Sequence, residues 1–159
     1  MQVLIRRAAG ADIPALLLLL RQIAELHRAV RPDLFRPDAS KYTKKELSRI
    51  LKDPARPVFV AVNAETGEVW GYVFCVIQDY SAERLLTAHK TLFIDDFCID
   101  AAVRGRGTGR ALFEHVRRYA EGIACHNITL NVWEFNKGAL AFYEKLGMTV
   151  QKRGMEFIL

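Results

Sequence analysis

The stretch from Phe93 to Tyr119 constrains this chain more than any other. It reads Phe-Ile-Asp-Asp-Phe-Cys-Ile-Asp-Ala-Ala-Val-Arg-Gly-Arg-Gly-Thr-Gly and continues as Arg110-Ala-Leu-Phe-Glu-His-Val-Arg-Arg-Tyr119. An apolar strand therefore passes through a turn rich in glycine and arginine into a helix. Gly107 and Gly109 let the backbone bend tightly and approach a ligand with no Cβ in the way. The N–H groups at the helix start face outward with the positive end of the helix dipole behind them. Arg104, Arg106 and Arg110 add full positive charges beside that array. A diphosphate is the ligand that such a turn suits. A Walker loop needs Gly-x-x-x-x-Gly-Lys-Ser/Thr, which is nowhere present, and a dinucleotide fingerprint needs a third glycine where Arg110 stands.

The pattern that does fit is Arg104-x-x-Gly107-x-Gly109 after an apolar strand, and a second segment accompanies it. Residues 130–148 read Leu-Asn-Val-Trp-Glu-Phe-Asn-Lys-Gly-Ala-Leu-Ala-Phe-Tyr-Glu-Lys-Leu-Gly-Met. Asn136 suits the cap of a following helix, and Gly147 suits its stop. Together the two segments resemble the GNAT superfamily of acetyl-coenzyme A-dependent N-acetyltransferases. Their cofactor signature is Gln/Arg-x-x-Gly-x-Gly/Ala, followed later by Asn-x-x-Ala-x-x-Phe-Tyr-x-x-x-Gly-Phe. Asn136, Ala139, Phe142, Tyr143 and Gly147 fall on that spacing, with Met148 in place of the last aromatic.

The remaining elements follow from pattern and punctuation. Val3 to Arg7 is a short strand. Asp12 caps a helix reaching about Ala29, with Pro14 tolerated in its first turn. Residues 31–42 are a loop, and Thr43-x-x-Glu46 is a capping box for a helix through about Leu51. Residues 58–63 and 68–79 form a hairpin around Glu65-Thr66-Gly67, their β-branched and aromatic content favouring strands. A polar loop over 80–90 precedes a long strand over 91–100. After the glycine-rich turn and its helix come a strand over 127–133, a helix over 137–146 and a final pair of strands. No linker or repeat divides the chain, so residues 1–159 read as one domain. This order of elements is the GNAT order. The resemblance implies an α/β (α+β) fold with a central mixed, mostly antiparallel sheet of about seven strands, splayed at the cofactor and flanked by about four helices.

The resemblance also implies roles. Acetyl-CoA would be the co-substrate, with its pantetheine arm on the backbone of Phe97, Cys98 and Ile99. Its diphosphate would lie on Val103, Arg104, Gly105, Arg106, Gly107, Thr108, Gly109 and Arg110. Asn136 would assist the arm while capping its helix. Tyr143 matches the tyrosine that protonates the departing thiolate, and a phenol with a pKa of about 10 suits that task. Phe-Ile-Asp-Asp-Phe-Cys-Ile resembles the polyamine-type members, which places Asp95 at the catalytic glutamate and Asp96 at the neighbouring acid. Asp is one methylene shorter than Glu, which favours a water relay. Adjacent strand residues face opposite sides, so one of the two carboxylates is expected to face the acceptor and the other to turn away. Either one, or a water, is left as the base. Cys98 offers an alternative, covalent route, although a cysteine in an apolar strand is more often inert packing. His27 could line the acceptor pocket with Arg28 and Phe35.

The net charge is +5, much of it clustered around the proposed cofactor helix, where coenzyme A phosphates have a use for it. The expected partner is a small-molecule or peptide amine, and acceptor choice is expected to depend on residues 27–42 and 80–91. No nucleic-acid pattern interleaves aromatic and basic residues on the strands. A non-catalytic acyl-CoA-binding module, or a basic nucleic-acid-binding module, is the alternative use of the fold. Three cysteines without a Cys-x-x-Cys read as free thiols of a reducing, cytoplasmic compartment. His89, His115 and His126 lack metal-ligand spacing, so no metal is expected. The run Leu16 to Leu20 is too short for a membrane span. The resemblance admits a homodimer.

Overall fold

The computed structural model describes residues 2–159. Five strands form one sheet in sequential order: β1 (Val3–Arg7), β2 (Val58–Asn63), β3 (Val69–Asp79), β4 (Lys90–Ile99) and β5 (Asn127–Leu130). The first three pairings are antiparallel, whereas β4 and β5 are parallel. Parallel neighbours need a crossover, and helix α3 (Thr108–Gly122) supplies it. Helices α1 (Ile13–Val30) and α2 (Lys44–Ile50) cover one face, and α4 (Lys137–Lys145) follows β5.

The sheet separates two apolar cores. On one side Leu16, Leu19, Leu20, Leu47 and Ile50 pack on Val58, Val60, Tyr72, Phe74 and Cys98. On the other, Leu112, Phe113 and Val116 of α3 pack on Phe59, Ala61, Val73, Cys75, Leu92 and Ile94. Every residue of β2 is buried because both faces are covered.

Local signals place several elements where the sequence puts them. Thr43 and Glu46 form the expected capping box: Glu46 N–H donates to Thr43 Oγ1 at 3.2 Å, and Thr43 N–H donates to Glu46 Oε2 at 2.7 Å. Asn136 caps α4 by accepting from Ala139 N–H at 3.1 Å. Gly147, at φ 90°, ends that helix. Gly147 N–H bonds the Glu144 carbonyl and Met148 N–H the Tyr143 carbonyl, at 2.9 and 3.1 Å, which is a Schellman closure.

Other expectations change. The mixed α/β class holds, but among the described residues the sheet has five strands rather than about seven. The expected final strand pair is absent among the described residues: 149–159 form no strand and are mostly exposed. Charged Lys152, Arg153 and Glu156 interrupt its apolar residues, and a lone hairpin without a face to pack on has little stability of its own. Instead Glu156 pairs with Arg31 at 2.6 Å. Strand β5 stops at Leu130, short of the expected Trp133, whose ring stacks on Phe135 at 5.7 Å. Asp12 does not cap α1 directly: its carboxylate accepts from Ala9 N–H at 2.8 Å and from Arg6 at 2.7 and 2.9 Å.

Candidate active site

The site arises from an irregularity in β4. Phe74 of β3 faces Asp96, yet the next residue, Cys75, faces Ile94, so Asp95 is an extra residue in β4. Such a bulge inserts one unpaired residue and reverses the alternation of faces. Leu92 and Ile94 accordingly point into the α3-side core, while beyond the bulge Cys98 points into the α1-side core. The expectation that Asp95 and Asp96 face opposite sides is thereby corrected. Both carboxylates reach the same ammonium: Lys41 Nζ lies 3.1 Å from Asp95 Oδ1 and 3.6 Å from Asp96 Oδ2.

Pairing with β5 also ends at the bulge. Strand β5 pairs with Thr91 to Ile94 and no further, so residues 95–99 of β4 present a backbone edge that β5 leaves uncovered. The other edge of that half is held close. A Cβ on Gly71 would lie 2.7 Å from the Cys98 carbonyl oxygen and collide with Ile99 Cδ1. Only glycine lets β3 run this near.

Around the carboxylates are residues that no sequence motif marked. Tyr42 donates its hydroxyl to Asp95 Oδ2 and in turn accepts from Arg56 Nη2 at 2.9 Å. Tyr72, buried in the α1-side core, donates to Asp96 Oδ1 at 3.2 Å. Lys41 Nζ further donates to the Asp95 main-chain carbonyl at 2.7 Å. Lys41 and Tyr42 precede the α2 capping box and lie more than fifty residues from Asp95 in sequence. Only the fold brings them there. Burial raises the Asp96 carboxyl above its ordinary range, against the opposing pull of Lys41 and the Tyr72 bond. Burial likewise raises the Tyr42 and Tyr72 hydroxyls.

Beyond the open edge the chain turns. Asp100 accepts from Ala102 N–H at 2.9 Å, and Gly105 and Gly107 take φ of 77° and 84°, the left-handed region that glycine favours. The first bond of the α3 ladder runs from Ala111 N–H to the Gly107 carbonyl at 3.0 Å. The N–H groups of Thr108, Gly109 and Arg110 therefore precede the ladder, as an anion cradle requires. Arg104 and Arg110 are exposed beside it; Arg104 Nε reaches back to the Ile99 carbonyl at 2.9 Å. Val103 and Thr108 are buried beneath the turn.

Helix α4 closes on this turn. A Cβ on Gly109 would sit 3.3 Å from Phe142 Cζ, so a glycine there permits the contact. Phe142 and Tyr143 pack against Phe97, with ring centroids 5.8 and 6.3 Å apart. Burial raises the Tyr143 hydroxyl, and the charge of nearby Asp96 adds to the effect. The structure thus gathers Asp96, Phe97, Cys98 and Tyr143, while Asn136 stays at the start of α4 as its cap. Cys98 faces the core, its thiol toward the Leu19 carbonyl at 3.8 Å, and burial pushes it up to about 12. That environment disfavours the thiolate a covalent route needs.

His27 joins an aromatic group with Phe35, Trp133 and Phe135, at centroid distances of 5.3, 6.5 and 5.9 Å. Burial lowers its pKa, and the charge of Lys41 contributes. Arg28 instead pairs with Glu25 at 3.5 Å. Among the described residues no cluster of His, Cys, Asp and Glu is arranged to hold a metal, and no helix is long and apolar enough to cross a membrane.

The model of the acetyltransferase (GNAT) family matches residues 20–148. The chain belongs to the GNAT acetyltransferase family. Peptidyl-lysine N-acetyltransferase YjaB of Salmonella typhimurium is 34% identical over 112 residues, covering 69% of this chain and 63% of that protein. The Escherichia coli protein of the same name is 35% identical over the same shares. The matched part thus spans less than two thirds of these relatives. A point mutant of the BH1408 protein from Bacillus halodurans superposes with a TM-score of 0.93 at 30% identity, covering 98% of this chain and 99% of that one.

Proposed function

We propose that this chain moves an acetyl group from acetyl-CoA to a primary amine, and that the side-chain amine of a peptide lysine is the leading acceptor class. The observation that carries this reading is the second half of β4. There an open strand edge, a glycine-rich anion cradle beyond it and two carboxylates already holding an ammonium meet between residues 95 and 110. The name of the YjaB relatives supports the acceptor class.

The cradle fits the cofactor on its own geometry: two left-handed glycines, outward N–H groups and exposed arginines suit a diphosphate. Backbone groups of Phe97, Cys98 and Ile99 on the open edge would hold the pantetheine arm. When bound, acetyl-CoA supplies the acetyl group as a thioester. Backbone N–H at Cys98 or Ile99 is the natural donor to the thioester oxygen, where negative charge develops. The acceptor ammonium binds between Asp95 and Asp96. Asp95, tied to Tyr42, orients it. Asp96, whose buried carboxyl is kept above the ordinary range, takes its proton. Tyr143 delivers a proton to the departing sulfur.

Calorimetry with acetyl-CoA, followed by thiol release over a panel of lysine peptides, polyamines and amino sugars, tests this reading. Binding, with turnover on at least one amine, is expected. No binding at about 1 mM acetyl-CoA, an interaction weaker than about 4 kcal/mol, would contradict it.

A further inference from the structure

Lys41 occupies the position that the proposed mechanism assigns to the acceptor amine. It is itself a primary ammonium on an aliphatic stem. Its Nζ donates to the Asp95 carbonyl at 2.7 Å and lies 3.1 and 3.6 Å from the two carboxylates. The bulge makes this possible, because the extra residue turns both carboxylates to one side and its own carbonyl receives a bond from Lys41. The Lys41 side chain remains 39% exposed, and residues 31–43 lie between α1 and α2 with no helix or strand of their own. Lys44 and Lys45, three and four residues on, are exposed on α2, and the ion pairs of both carboxylates are with Lys41.

We infer that Lys41 is an intramolecular acceptor: the chain acetylates its own Lys41 side chain. The inference rests on the proposed acetyl transfer at this site. The ammonium gives up one proton to Asp96, which passes it to solvent, and the neutral amine attacks the thioester carbon. The Nζ–C bond forms as the C–S bond breaks. The second nitrogen proton leaves with that step and is balanced by the proton that Tyr143 delivers to sulfur. One amide, one thiol and one released proton result. Acetylation removes the positive charge, so the modified side chain no longer pairs with Asp95 and Asp96, and the acceptor position is vacated for an external amine.

The test is incubation of the full chain with acetyl-CoA and no added amine, followed by peptide mass spectrometry and by the same assay on Lys41→Arg. Expected are one acetyl group per chain, located on Lys41, at a rate independent of protein concentration, and loss of that label in Lys41→Arg. Thiol release with lysine peptides is measured on the same preparation. Turnover of a peptide with Lys41 unmodified would overturn this inference alone. No transfer to Lys41 or to any amine would overturn both it and the reading beneath it. Label spread evenly over Lys41, Lys44 and Lys45 would be uncatalysed chemistry and would also overturn it, as would a rate rising with protein concentration.

Discussion

The two halves of β4 share one strand but have different surroundings. From Lys90 to Ile94 the strand alternates regularly, pairs on both sides and buries Leu92 and Ile94 under α3. From Asp95 to Ile99 it has shifted face by one residue, lost β5 on one edge and gained two carboxylates on one side. One inserted residue accounts for the change of face. A bulge costs one regular pairing, and here it aims two carboxylates at a single point beside an edge that β5 does not reach.

Substitutions in each half should therefore report on different properties. The largest effect is expected for Asp96→Asn, which should lower kcat/KM by about 10²-fold or more and leave acetyl-CoA affinity in calorimetry nearly unchanged. A matching loss of cofactor affinity would show that Asp96 shapes the cofactor site instead. Tyr143→Phe should cost turnover less, roughly tenfold to a hundredfold, for loss of one hydrogen bond to a developing charge. Equal turnover of the variant would remove Tyr143 from the acid role.

In the paired half, Leu92→Ala should lower unfolding free energy by about 3 kcal/mol in chemical denaturation, with the folded fraction still binding acetyl-CoA. Gly71→Ala, beside the open half, should cost about 1–3 kcal/mol, because the new methyl meets the Cys98 carbonyl and Ile99. Unlike Leu92→Ala, it should also weaken acetyl-CoA binding. If the two variants affect binding alike, the halves are not functionally distinct.

The smallest effect concerns pH. Burial raises the folded-state pKa of Asp96, so its stabilising contribution is full below the unfolded value. It is lost as pH rises through the folded value, above which the ionised group opposes folding. Asp96→Asn should therefore stabilise the protein at neutral pH by about 1 kcal/mol, with the gain fading toward the ordinary aspartate range. For the same reason the acid limb of kcat/KM should lie above an ordinary aspartate pKa. A variant less stable than the parent at neutral pH would mean that the Lys41 pairing outweighs desolvation.

Much of the proposed cofactor side was legible in the sequence because it is local. The Arg104–Gly109 turn, the Asn136 cap and the Gly147 stop each depend on residues within a few positions of one another. The proposed acceptor side was legible only as the range 27–42. Lys41 and Tyr42 reach the carboxylates from the segment between α1 and α2, and Tyr72 from the neighbouring strand, and a bulge leaves no mark in a two-residue alternation until the partner strand is known. That is why Asp95 and Asp96 read as facing apart. The C-terminal residues 149–159 misled for the opposite reason: their apolar content looks like strands, but no strand among the described residues pairs with them.

Amide hydrogen exchange along β4, with and without acetyl-CoA, compares the two halves most directly. Slower exchange is expected within residues 95–99 and within Val103 to Arg110 when acetyl-CoA is added, with Thr91 to Ile94 unchanged. Protection confined to the paired half, or no change in either half at saturating acetyl-CoA, would contradict the assignment of the open half of β4 as the cofactor edge.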